Sequence, residues 1–222
     1  MQINKNIYIN SSIGSTRIAI LENNNLSDIF VELPDHKKMV GNIFKGKVQN
    51  VIPGMQAAFV DIGYPSNAFL PFAEINSIND LNNVAFSIDD EKQTNEKQKN
   101  KNRDKKINYS IGDEIIVQVI KEPFSSKGPR VSTNISLPGS LLVLVPNQNY
   151  IGISRKISDK YEKKRLKNII SSIKPKNFGV IVRTVSAGKD QKIIENDFNE
   201  LLETWDTINK KIKKSKSPSL LH

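Results

Sequence analysis

GKVQNVIPGMQAAFVDIGYPSNAFLPFAEI, residues 46–75, is the stretch from which the fold can be read. Pro53-Gly54 and Gly63-Tyr64-Pro65 cut it into three short apolar runs, and alternation within each run predicts strands rather than a helix. Phe59 and Asp61 fall on one face of the second run. A carboxylate resists burial, so that face is predicted to be open and Phe59 to lie on it, with Phe69 on the third run beside it. The competing reading packs both rings in the core. Lys45 and Lys47 stand at the entry to the first run. Bases offer π-faces and phosphates offer charge, so aromatic rings beside lysines on a sheet suit single-stranded nucleic acid.

Outward from this stretch, strands are predicted at 42–51, 57–62, 68–71, 114–121 and 130–135, a spacing that fits a five-stranded Greek-key barrel. Lys127, in the turn of residues 125–129, would sit at its rim; alone it is a weak indicator. Residues 76–108 include DDEKQTNEKQKNKNRDKK, whose polar, charged composition cannot offset ordering entropy, and a disordered insertion is predicted. Residues 1–36 alternate through Ile3, Ile7, Ile9, Ile18, Ile20, Ile29, Val31 and Leu33, predicting a three-strand meander too small to hold a core alone.

From residue 136 the pattern becomes α+β. Strands are predicted at 141–145, 150–154 and 179–183, and a helix at 158–173 with Ser158 as N-cap and Pro175 ending it. A longer helix from Asp190 carries Ile194, Phe198, Leu201, Leu202, Trp205, Ile208 and Ile212 at helical spacing. These are core positions, and Trp205 reads as a packing anchor. Residues 213–222 are predicted to fray. Arg183-Thr184, at a strand end, pairs a planar donor fork with a hydroxyl, which suits one terminal phosphate. By residue type alone an ion pair and a turn residue serve as well.

The 222 residues carry a formal net charge of +10 and a pI of about 9.6, which points to a polyanionic partner. No apolar run reaches the length of a membrane span, and no charged-then-apolar leader opens the sequence. With no cysteine, thiolate zinc sites, disulfides and cysteine nucleophiles are excluded. His36 and His222 read as a turn and a tail residue. Enrichment in Lys, Asn and Ile suggests an AT-rich genome, as in plastids or endosymbionts.

The 46–75 stretch resembles the S1-type branch of the OB-fold RNA-binding domains. LPGSLLVLVPNQNYIGISRKI (137–157) and GVIVRTVSAGK (179–189) resemble the 5′-sensor region of the ribonuclease E/G family, including its plastid-encoded members. The order of meander, barrel and sensor agrees as well. The resemblance implies an α+β chain. Residues 1–36 would be a partial RNase H-like meander, 37–135 the S1-type OB-fold barrel, and 136–222 the 5′-sensor. It implies that Phe59, Phe69 and Lys127 contact RNA, and that Gly139, Val143, Arg183 and Thr184 hold a 5′-monophosphate.

In this family Mg²⁺, held by two aspartates in a module after the sensor, supports phosphodiester cleavage, and a Cys-Pro-x-Cys link binds zinc. Neither feature is found here. The available carboxylates, Asp61, Asp113, Glu114 and the Asp89-Asp90-Glu91 run, form no ligand set, so no catalytic residue and no metal ligand is assigned. The leading expectation is the RNA-binding, 5′-monophosphate-sensing part of an endoribonuclease that processes and degrades A/U-rich single-stranded RNA in a plastid stroma or bacterial cytoplasm. Its catalytic module would be a separate partner, and residues 1–36 would self-associate or meet that partner. Two alternatives are a stand-alone RNA-binding protein and, more distantly, a barrel protein of the ribosome.

Overall fold

The computed structural model describes residues 4–32, 38–75, 86–88 and 109–222. Ile3, Leu33, His36, the Asp89-Asp90-Glu91 run and most of the expected 76–108 insertion lie outside them. The chain divides into two compact units, Met1–Met39 and Val40–His222.

The first unit is an antiparallel meander of β1 (Lys5–Ser11), β2 (Thr16–Glu22) and β3 (Asn25–Glu32). Asn23 and Asn24 both take positive φ, 50° and 66°. Asparagine tolerates that region, and two such residues in succession build the tight turn that suits strand twist. Ile7, Ile9 and Ile29 remain more than 60% exposed. The alternation expected of this segment is present, but no residue of the three strands is buried.

In the second unit, β4 (Ile43–Ile52), β5 (Ala57–Asp61), β6 (Ala68–Pro71), β8 (Glu114–Lys121) and β9 (Arg130–Ser132) form a barrel, closed because β4 also pairs with β8. Closure removes the free edges of a small sheet. Ala58, Val60, Leu70, Val117, Val119 and Val131 fill the interior at 1% exposure or less. Gly46 interrupts the lysines for a steric reason: a Cβ there would stand 2.5 Å from Cγ1 of Val60. The lysines on either side therefore project outward while the glycine faces a filled interior.

The second sheet runs β10 (Leu137–Pro138), β11 (Leu142–Pro146), β13 (Phe178–Val182), β12 (Ile151–Ser154) and β7 (Phe86–Ile88). β12 and β13 are parallel, joined by the crossover helix α1 (Lys160–Ile173). The amphipathic α2 (Gln191–Lys214) packs on β10 and β11. Ile194, Phe198, Leu201, Trp205 and Ile208 are buried in the common core, and Leu202 and Ile212 pack at its margin.

Three sequence expectations are corrected. Phe86–Ile88, inside the predicted insertion, is an edge strand paired with β12. The N-cap of α1 is Asp159 rather than Ser158; its carboxylate accepts the Tyr161 amide at 2.8 Å. The tail does not fray at its end. β14 (Ser219–Leu220) pairs with β4, and Leu221 is fully buried. The signal was Leu220-Leu221 after Pro218, too short for periodicity to register.

Candidate nucleic-acid interface

Phe59 and Phe69 are directly paired across β5 and β6, both half-buried on the outer face, with ring centroids 5.7 Å apart and planes tilted by 58°. That tilted geometry is a favourable one for neighbouring aromatics. The core-packed alternative fails because the flanking Ala58, Val60, Ala68 and Leu70 occupy the interior instead. The row continues in both directions. Asn50 lies opposite Phe59, Arg130 opposite Phe69, and Lys121 opposite Arg130. Laterally paired residues share a face, so the outer surface presents amide, ring, ring, guanidinium and ammonium across five strands. Arg130 also reaches Glu74 at 3.0 Å. Asp61, on the same face, accepts the Gly63 amide at 2.8 Å and so shapes the turn after β5.

Sequence reasoning missed Arg130 and Lys121 because alternation within a strand gives a face but not the register between strands. It also missed Phe124, which is 80% exposed. Phe124 and Lys127 bridge a two-residue turn, each amide donating a hydrogen bond to the other's carbonyl at 3.1 and 3.0 Å, with Ser125 at positive φ of 54°. As bridge partners they project to the same side, so Lys127 is exposed beside a ring. A Cβ on Gly128 would lie 2.0 Å from the Asn67 carbonyl oxygen. Only glycine lets this turn close onto the loop before β6. The ring beside the lysine was the available signal.

Lys47 is exposed on the outer face, laterally between Asp61 and Glu114. The placement of Lys45 at an open entry to the strand is corrected. Its side chain is only 13% exposed, pairs with Glu114 at 2.8 Å, and donates to the Ile212 and Ser215 carbonyls at 3.4 and 3.0 Å. A cation at a helix C-terminus satisfies its last carbonyls and its dipole. Lys45 fastens α2 to the barrel and is not presented to phosphate.

The second constellation gathers where β11 begins and β12 and β13 end. Arg183 follows β13 and is exposed; its Nη1 donates to the Gly139 carbonyl at 2.6 Å and lies 3.3 Å from that of Ser140. The Thr184 hydroxyl meets that of Ser154 at 2.8 Å. Val143 is half-buried in β11, opposite Ile181 and Pro138. Gly139 donates its amide to the Leu142 carbonyl at 2.8 Å, closing the 139–142 turn. Gly139, Arg183 and Thr184 therefore meet in one loop cluster. Residues 184–190 are pinned to α1 by Glu162, which accepts the Gly188 amide at 2.9 Å and both arms of Arg165 at 2.7 Å. The guanidinium, then the Gly188 amide, hold the Glu162 carboxyl down at about 2.

Among the described residues no three acidic or histidine side chains converge on a possible metal site. Asp61, Glu114, Glu162 and Asp197 are each engaged with amides or cations. These carboxylates do not fit an Mg²⁺ site, which needs several oxygens converging on one point. No described helix is long and apolar enough to cross a membrane.

A closed five-stranded barrel with an outer row of rings and cations is an S1-type RNA-binding domain, and the S1 RNA binding domain model matches residues 37–133. The Ribonuclease E/G family model matches residues 136–222, and that segment is of the ribonuclease E/G type. It is 34% identical to Ribonuclease G of Haemophilus influenzae over 96% of this chain and 41% of the relative. Ribonuclease G of Escherichia coli K12 matches at 32% over 94% of this chain and 40% of the relative. Ribonuclease E of Nostoc matches at 32% over 92% of this chain and 27% of the relative. The chain thus spans less than half the length of each of these relatives.

Proposed function

We propose that this chain is the RNA-selecting part of a ribonuclease E/G-type endoribonuclease: its barrel takes the single strand and the 139–184 cluster reads a 5′-monophosphate. One observation carries the proposal. A row of two rings and two cations, and an exposed arginine held to a glycine carbonyl beside paired hydroxyls, belong to one compact unit, Val40–His222. Rings stack on any base, and A/U-rich RNA stays unpaired most readily, so the favoured ligand is an unstructured A/U-rich strand. Arg183 keeps donors beyond the one bound to Gly139, a fork suited to a terminal phosphate. The phosphodiester-cleaving, Mg²⁺-dependent chemistry is assigned to residues other than these 222. Plastid residence is part of the proposal, supported by composition alone.

The test is equilibrium binding to one unstructured RNA carrying either a 5′-monophosphate or a 5′-hydroxyl. The wild type should prefer the phosphate, and Arg183→Ala should erase the preference. A wild type indifferent to its 5′ end refutes the sensor assignment. The engagement of Asp61, Glu114, Glu162 and Asp197 also favours a second reading, a stand-alone RNA binder. Co-purification of an aspartate-rich nuclease supports the first reading; capture of RNA alone supports the second. Robust Mg²⁺-dependent cutting by the purified chain contradicts both.

A further inference from the structure

Asp197 lies on α2, is only 9% exposed, and is held by amides rather than by a cation. Its carboxylate accepts three successive backbone amides, Ser140 at 2.9 Å, Leu141 at 3.1 Å and Leu142 at 2.9 Å. An ionised carboxylate in so buried a position is tolerated because donors replace its water. The opposite edge of the same loop is held by Arg183, which donates to the carbonyls of Gly139 and Ser140. Gly139 touches both clamps: a Cβ there would fall 2.7 Å from one Asp197 oxygen and 3.0 Å from the other. An anion on the amide side and a cation on the carbonyl side thus fix one four-residue loop.

We infer that Asp197 is a positioning residue for the phosphate sensor: it sets the 139–142 loop, and through the Gly139 carbonyl it aims the Arg183 guanidinium. The inference rests on the 5′-monophosphate reading above. Two consequences follow. The amides of residues 140–142 are already occupied, so an incoming phosphate is met by side-chain donors, chiefly Arg183. Asp197 also places a negative charge close to an anion site, where its field alone opposes phosphate binding. Position and field therefore act with opposite sign, which makes the role separable from bulk electrostatics.

The experiment measures the ratio of Kd for a 5′-hydroxyl RNA to Kd for its 5′-monophosphate twin, in the full chain and in Asp197→Asn. The carboxamide keeps the size but leaves one acceptor oxygen and turns an N–H toward amide donors, so at least one of the three amides is orphaned. The ratio should fall at least 5-fold, toward one, while affinity for the 5′-hydroxyl RNA stays within 2-fold because the barrel is untouched. A pure field effect predicts the reverse, a higher ratio. Asp197→Glu keeps the charge but lacks room beside Gly139; its ratio should fall as well, and it decides the question if the Asn variant does not fold. Asp206→Asn, exposed on the same helix, should leave the ratio unchanged. A wild-type ratio of one defeats the sensing reading itself. A wild-type ratio above one, with a folded Asp197 variant that retains or raises it, overturns this inference alone.

Discussion

Removing both rings from the barrel face is the most informative single perturbation. Phe59 and Phe69 contact one another at 5.7 Å, and stacking one base on one ring contributes roughly 1–3 kcal/mol. Their contact makes the two losses couple rather than add, so the double variant should lose about 2–4 kcal/mol, roughly a 30- to 700-fold rise in Kd. Both side chains are half-buried, so Phe→Ala also removes packing area. Phe→Leu keeps most of that area and deletes only the π-face. Fluorescence anisotropy with an unstructured A/U-rich RNA, alongside circular dichroism melting, separates the two effects. The Ala pair should melt lower and bind weakly; the Leu pair should melt close to wild type and still bind weakly. A Leu pair that folds and binds as tightly as wild type would refute the stacking argument.

Lys45→Met should lower the melting temperature, with a loss of about 1–3 kcal/mol as the α2 carbonyls and Glu114 lose their partner, yet leave RNA affinity within 2-fold; a large affinity loss would return Lys45 to the interface. Lys121→Ala or Arg130→Ala should instead flatten the salt dependence of binding by about 0.7 for each phosphate no longer neutralised. Leu221→Ala should cost about 2–5 kcal/mol in denaturant unfolding, since the side chain is fully buried and its amide bonds Ile43 at 2.8 Å; no change would mean that the tail is dispensable. The Glu162 carboxyl titrates at about 2 rather than near 4.5. A depressed value means that its contribution to holding residues 184–190 is complete above pH 4.5 and fades as pH falls toward 2. The Gly188 amide resonance should stay constant from pH 7 to about 4 and move below that; a midpoint near 4.5 would contradict the pinned loop.

Much of the barrel was legible because two simple forces fix it. Alternation of Ala58, Val60 and Ile62 against Phe59 and Asp61 predicts which side is dry, and the Pro-Gly breaks predict where strands end. Both survive because closure leaves the strand interior no alternative partner. Alternation does not say what lies over an outward side chain. Lys45 and Lys47 read alike in sequence, yet the C-terminus of α2 covers one and leaves the other exposed. Long-range contacts were equally silent. Nothing local links Asp197 to residues 140–142, more than fifty positions away, although the buried acid on an otherwise apolar helix stripe was the available cue. The exposed faces of the 4–32 meander were foreseeable from its size.

The most direct test of an RNA path over the barrel is photo-crosslinking of a 4-thiouridine RNA bearing a 5′-monophosphate, with adducts mapped by mass spectrometry. Adducts should concentrate on the peptides carrying Phe59, Phe69 and Phe124, and should fade in the Phe59→Leu/Phe69→Leu variant. Adducts confined to β1–β3 or to the outer surface of α2, unchanged in that variant, would contradict the account.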